Sequence, residues 1–261
     1  MKKQIWLGLL FAFTSTILFA QDKAMYEKHW FIKALDTLPY RLLLPKNYDP
    51  KKEYPLILFL HGSGERGNDN EAQLMHGWKL FLQDTIRENY PAIVVFPQCA
   101  ASSYWSNVDF QYDSLTKKRT FVFPFDGEPT IAMQLLMQLL KDLNRKYKLD
   151  DDRLYVGGLS MGGMGTFELV KRKPKMFAAA FPICGGANAA TAKKLKRTSW
   201  WIFHGLKDDV VSPQFSQQMA DAIKATGAEV KLKLYPNANH NSWDSAFAEK
   251  ELFPWLFSHK K

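Results

Sequence analysis

Four stretches of this chain are almost wholly apolar and then stop: Pro55–Leu60 (PLILFL), Ala92–Phe96 (AIVVF), Phe177–Ile183 (FAAAFPI) and Ser199–Phe203 (SWWIF). A strand with one face in water alternates polar and apolar residues, whereas an unbroken apolar run belongs to a strand covered on both faces. Trp30–Ala34, Tyr40–Leu44, Arg153–Gly157 and Val230–Tyr235 complete a set of eight predicted strands. Helical segments are predicted over residues 71–88, Thr130–Tyr147, Ser160–Arg172, Gln214–Thr226 and Ser242–Phe257. The clearest is Thr130–Tyr147, with Ile131, Leu135, Leu136, Leu139, Leu140 and Leu143 on one stripe. Strands alternating with helices imply an α/β fold: a mostly parallel eight-stranded sheet with helices on both faces. Such sheets bind ligands beyond the carboxyl ends of their strands. A length of 261 residues fits one domain of this kind, and a hydrophobic content of 46% can fill its core. That composition excludes a disordered chain, and the absence of an internal repeat excludes a solenoid.

The first twenty residues read differently. Lys2 and Lys3 precede an apolar run, Ile5–Phe13, extended by Ile17, Leu18 and Phe19; Ala20 then stands before the polar Gln21 and Asp22. Charge, apolar core and small residue in that order predict a signal peptide over 1–20, followed by a single domain over 21–261 and export to the periplasm or beyond. The run is shorter than a bilayer span requires, and no Cys follows it to accept a lipid. No stable membrane insertion is expected after cleavage. Loss of Lys2 and Lys3 would lower the net charge from +9 to +7. The remaining lysines are scattered and lack the interleaved aromatics of a nucleic-acid stripe, so no nucleic-acid partner is expected.

Cys99 and Cys184 follow two strands that are not expected to be neighbours. Three strand spacings, about 14 Å, would separate them. A disulfide needs Cα atoms within about 7 Å, so two buried thiols are expected even though export permits a bridge.

Three short stretches carry chemistry. Gly158-Leu159-Ser160-Met161-Gly162 fits G-x-S-x-G after a strand and before a helix, where small residues two before and two after the serine allow the turn that lifts its hydroxyl clear. His204-Gly205-Leu206-Lys207-Asp208-Asp209 follows the strand SWWIF; a carboxylate there can reach a histidine across the top of the sheet, and Asp208 is preferred to Asp209. His240 stands in a loop after VKLKLY, from which it can swing over the serine. Ser160, Asp208 and His240 thus occur in the chain order of an α/β-hydrolase triad, as nucleophile, acid and base. His61 and His204 are expected to hold loops through hydrogen bonds, and His29, His76 and His259 to lie at the surface.

The chain resembles the α/β-hydrolase superfamily. More narrowly it is similar to bacterial secreted carboxylesterases often labelled predicted peptidases, related to polyhydroxybutyrate-depolymerase-like and feruloyl or acetyl xylan esterases. The resemblance rests on LHGSGERG (60–67), VVFPQC (94–99), YWS (104–106), GGLSMGGMGTF (157–167), PICGG (182–186), HGLKDDVV (204–211) and NHNSWD (239–244). It implies oxyanion donors at the amides of Ser63, with Gly64 as an alternative, and Met161. It implies hydrolysis of short-chain acyl or aryl esters, small or polysaccharide-linked, through an acyl-enzyme, with no metal or cofactor. A lipase, phospholipase or serine peptidase of the same fold is the alternative, and a non-catalytic binding module is opposed by retention of all three triad residues. Trp105 and Trp243 are expected as subsite walls, with the aromatic segment 101–128 as a partial cover. Oligomeric state is not legible in the sequence.

Overall fold

The structure, a computed structural model, describes residues 23–112, 114–115 and 119–261. The predicted signal peptide, and Lys117 and Lys118 of the aromatic segment, lie outside the described residues. The chain opens with β1 (Glu27–Lys33), β2 (Asp36–Leu43) and β3 (Tyr54–Leu60), then two short helices, α1 (Trp78–Leu82) and α2 (Asp84–Asn89). It continues through β4 (Ile93–Pro97), a hairpin of β5 (Asp109–Tyr112) and β6 (Arg119–Val122), α3 (Ile131–Lys146), β7 (Leu149–Leu159) and α4 (Met161–Arg172). The last third holds β8 (Ala179–Ile183), α5 (Ala192–Leu195), β9 (Ser199–Gly205), α6 (Pro213–Lys224), β10 (Val230–Tyr235), α7 (Trp243–Phe247) and α8 (Leu252–Ser258).

Eight strands form one sheet in the order β1-β2-β4-β3-β7-β8-β9-β10. From β4 to β10 every pair is parallel; β1 on β2 and β2 on β4 are antiparallel, so the sheet is mixed at one edge. The unbroken apolar runs are the central strands, and alternate residues feed opposite faces. Leu56, Leu58 and Leu60 join one core with α3, α4 and α6, while Ile57 and Phe59 join the other with α1 and α8. Trp200 and Ile202 likewise pack on the first face, and Trp201 and Phe203 on the second. At about 25 cal/mol per Å² of apolar area, two such cores are the main force holding the layers together.

Several elements differ from the sequence reading. The helix expected over 71–88 is broken, because Gly77 adopts φ +80 and the backbone turns again at Gln83. The segment Ser242–Phe257 holds two short helices. In α3, capped by the Thr130 hydroxyl accepting from the Met133 amide, Ile131 is 55% exposed and Ala132 and Met133 take its place in the buried stripe. The thiols behave as expected: β3 and β7 lie between β4 and β8, and Cys99 and Cys184 are both buried and free. No helix among the described residues is long and apolar enough to cross a membrane.

Candidate active site

Ser160 occupies the single residue between β7 and α4, with φ 54 and ψ −116. A non-glycine residue in this region is strained, and here the strain turns the side chain away from both elements. The turn exists because its neighbours lack a Cβ: one at Gly158 would strike the Gly162 carbonyl, and one at Gly162 would strike the Leu60 carbonyl at the end of β3. The Ser160 amide donates to Ile183 O at 2.9 Å, tying the turn to β8.

His240 reaches this serine from the loop after β10. Its Nε2 lies 3.0 Å from Ser160 Oγ and its Nδ1 lies 2.8 Å from Asp208 Oδ2. Asp208, on the loop after β9, has a side chain shut off from solvent, while the His240 ring keeps 20% of its surface open. The other carboxylate oxygen, Oδ1, accepts the amides of Val210 and Val211 at 2.9 Å each. Burial pushes the Asp208 carboxyl up, but hydrogen bonds from His204, His240 and the Val211 amide outweigh it and hold the group well below the ordinary carboxylate range. Asp209, the competing aspartate, is exposed, and its backbone amide, not its carboxylate, faces the histidine loop.

The two loops are fastened by a residue the sequence reading passed over. Asn239 Oδ1 accepts the His240 amide at 2.8 Å and the Asp209 amide at 3.3 Å. Leu206 and Lys207 add backbone bonds to Tyr235 O and Ala238 O. Cys184, with φ 42, lies beneath: its sulfur, an Asp208 oxygen and a His240 nitrogen are all within 4.8 Å of one another. Burial pushes this thiol far up, which leaves it neutral. The three atoms are close enough to consider as metal donors, but Asp208 and His240 already share a 2.8 Å hydrogen bond, whose proton an ion would have to displace.

Ser63 is exposed and starts a single 3-10 turn, Ser63–Glu65, directly beyond β3; Gly64 is exposed beside it. His61 braces this turn. Its Nε2 accepts the Cys99 amide at 2.9 Å, so Nδ1 carries the proton and donates to Gly62 O at 2.6 Å. Burial lowers the His61 pKa to about 4. Arg66 clamps the turn from the other side through the carbonyls of Ser63, Ala101 and Ser103. Met161, the first residue of α4, has an amide with no partner inside the helix.

Of the two expected tryptophan walls, one is at the site and one is not. Trp243 is half-buried, with its ring edge-on to His240 at 5.5 Å and against His76 at 5.0 Å. Trp105 is 0% exposed: it packs edge-on to His61 at 5.4 Å and fills the space left by the missing side chain of Gly165. It supports the end of β3 from within the core and offers no surface to a ligand. The segment 101–128, expected to be irregular, contains the β5–β6 hairpin, whose Phe121 packs on Met164 of α4 and on Val211 just past Asp208.

The profile of a family described as "Putative esterase" matches residues 36–220, and that of the prolyl oligopeptidase family matches residues 186–256. The chain is 28% identical over 198 residues to a bifunctional acetylxylan esterase/xylanase of Neocallimastix patriciarum, covering 74% of this chain and 25% of that protein. It is 28% identical over 179 residues to an endo-1,4-beta-xylanase/feruloyl esterase of Xylanibacter ruminicola, covering 68% of this chain and 23% of the relative. The chain therefore spans about a quarter of the length of these relatives. Among solved structures, a thermostable esterase superposes with a TM-score of 0.81 at 30% identity, covering 92% of this chain and 64% of the other.

Proposed function

The chain belongs to the esterase family, and from that premise we propose that it is a serine hydrolase of carboxylic esters acting through an acyl-enzyme. The observation that carries this reading is the run Asp208–His240–Ser160, with spacings of 2.8 and 3.0 Å, above the carboxyl ends of β7, β9 and β10. Asp208 accepts the Nδ1 proton of His240, which leaves the Nε2 lone pair facing the serine hydroxyl. As Ser160 Oγ bonds to the ester carbonyl carbon, its proton passes to Nε2. The carbon–oxygen bond to the alcohol then breaks, and the alcohol takes that proton. Water attacks the acyl-enzyme by the same route, freeing the acid and the serine. The Ser63 and Met161 amides receive the oxyanion, and two such donors contribute several kcal/mol of barrier lowering. The start of α4 adds a favourable field for negative charge.

The substrate we propose is a short-chain acyl or aryl ester, acetyl or feruloyl, carried on a small molecule or a carbohydrate polymer. The acetylxylan and feruloyl esterase relatives support this choice. So does the Trp243–His76 wall beside His240, next to a groove of about 510 Å³ lined in part by His76, Trp78, Asp244 and Phe247. In this reading the hairpin whose Phe121 packs on Met164 and Val211 is the partial cover. The signal-peptide pattern of residues 1–20 supports action in the periplasm or outside the cell.

The deciding experiment pairs a fluorophosphonate probe with an ester panel. Wild-type protein should be labelled and should hydrolyse p-nitrophenyl acetate and methyl ferulate; Ser160→Ala should do neither. Equal labelling of both proteins refutes the assignment. The match of residues 186–256 to the prolyl oligopeptidase family favours one rival, so the panel includes a peptide anilide. Faster cleavage of that anilide than of any ester would move the reading to a peptidase.

A further inference from the structure

Asp208 is served by two histidines. Besides His240, His204 brings its Nε2 to 3.1 Å from the same oxygen, Oδ2. His204, the last residue but one of β9, stands four residues before Asp208, is 0% exposed, and so touches no substrate. Its Nε2 also lies 2.9 Å from the Val211 carbonyl. A carboxylate and a carbonyl can only accept, so the proton must sit on Nε2. On the far side of the ring, Nδ1 is 2.7 Å from Ser216 Oγ on α6, and Ser216 Oγ is 3.1 Å from the Gly185 carbonyl beyond β8. Ser216 is itself fully buried. The ring is therefore fixed by elements outside the loop that it steadies.

We infer that His204 is a positioning residue for the proposed triad: its Nε2–H, anchored through Ser216, holds Oδ2 of Asp208 where it meets Nδ1 of His240. Without it, Oδ2 of Asp208 has only the His240 ring itself as a partner, and the rest of the side chain is held by Oδ1, through two amides of its own loop. Rotation about the Cβ–Cγ bond would then swing Oδ2 away from the catalytic ring. The second donor also compensates a charge shut off from water, and its hydrogen bond stands beside that of His240 in keeping the carboxyl ionised. The groups facing His204 are Asp208 in the loop after β9, Ser216 on α6 and the Val211 carbonyl.

This inference rests on the triad reading, and its test separates the two. Glutamine places its side-chain NH₂ near the position of Nε2, whereas asparagine places it near Nδ1. His204→Asn should lower kcat for p-nitrophenyl acetate about 10- to 100-fold with KM unchanged, the loss of one hydrogen bond to a charged group. His204→Gln should lose no more than a few-fold. In an Asp208→Ala background the His204→Asn change should cost less than about twofold, because two residues acting as a unit are not additive. Equal losses in the two amide variants, or the full His204→Asn loss persisting without Asp208, would overturn the inference. Near wild-type kcat in Asp208→Ala alone would instead sink the triad. Long-range ¹H–¹⁵N correlation on the wild-type protein needs no variant to fold: it should show His204 protonated at Nε2, and a ring protonated only at Nδ1 would overturn the inference.

Discussion

Replacing Asp208 by asparagine exchanges one oxygen for an NH₂ with no change of volume, so its effect isolates the chemistry of the carboxylate. Four donors converge on that group: the amides of Val210 and Val211 at 2.9 Å on Oδ1, and the imidazoles of His204 at 3.1 Å and His240 at 2.8 Å on Oδ2. Asparagine has one accepting oxygen and one donating NH₂. If its oxygen stays with the two amides, the NH₂ faces the two rings. His240 must then present the Nδ1 lone pair to the NH₂, which moves its proton to Nε2 and aims it at Ser160. In that tautomer the ring cannot take the serine proton. If the side chain flips, the NH₂ faces two backbone N–H groups inside a closed loop. Either way two hydrogen bonds to a charged acceptor are lost, each about 1.5–3 kcal/mol, or about 3–6 kcal/mol together. At about 1.36 kcal/mol per decade the expected fall in kcat is roughly 10²- to 10⁴-fold, and the wrong-tautomer loss in triad enzymes lies at the upper end. KM should move less than about threefold, because the buried carboxylate does not reach substrate. Steady-state hydrolysis of p-nitrophenyl acetate, on protein whose melting temperature has been checked, measures both. A kcat within tenfold of wild type would refute the reasoning.

Three further outcomes follow from burial. His61 has a pKa lowered to about 4 by burial, against 6.5 for the free side chain, so the unfolded chain takes the proton first. Stability should be full above pH ~6.5 and fall by about 3 kcal/mol as pH drops to about 4. The Asp208 contribution is lost only further down, below the ordinary carboxylate range. Urea unfolding at pH 7, 5.5 and 4.5 measures this, and equal midpoints would contradict it. Trp105→Ala should cost about 3–5 kcal/mol of stability, read by denaturant titration, and shift KM equally for aryl and acetyl esters; a selective rise for the aryl ester would contradict its burial. Trp243→Ala should raise KM for methyl ferulate more than for an acetate ester, and equal shifts would remove Trp243 from the substrate site.

What was legible in the sequence follows from which contacts are local. The central strands could be read because an apolar run covered on both faces leaves a pattern within six residues, and β3 and β9 show it in their alternate packing on two cores. The proposed triad could be read because each member lies within a few residues of a strand end, and the carboxyl ends of a parallel sheet face one way. Helix breaks were harder. Residues 71–88 carry enough apolar side chains for one helix, and only the left-handed backbone at Gly77 shows that the chain turns there. Trp105 was misplaced for a similar reason. An aromatic in a long aperiodic segment looks like surface, and the slot that buries it is opened by Gly165, sixty residues later on a helix it meets only in the fold. Asn239 depends on register: Tyr235 pairs with Gly205, which sets the loops after β9 and β10 side by side so that Asn239 can bond both. Those loops meet because β8, β9 and β10 are neighbours in chain and in space. β3 and β4 are exchanged relative to chain order, with β4 lying between β2 and β3. The parallel pairing of β3 with β4 brings Cys99 to His61, whose ring braces the Ser63–Glu65 turn, and the spacing along the chain does not signal that partner.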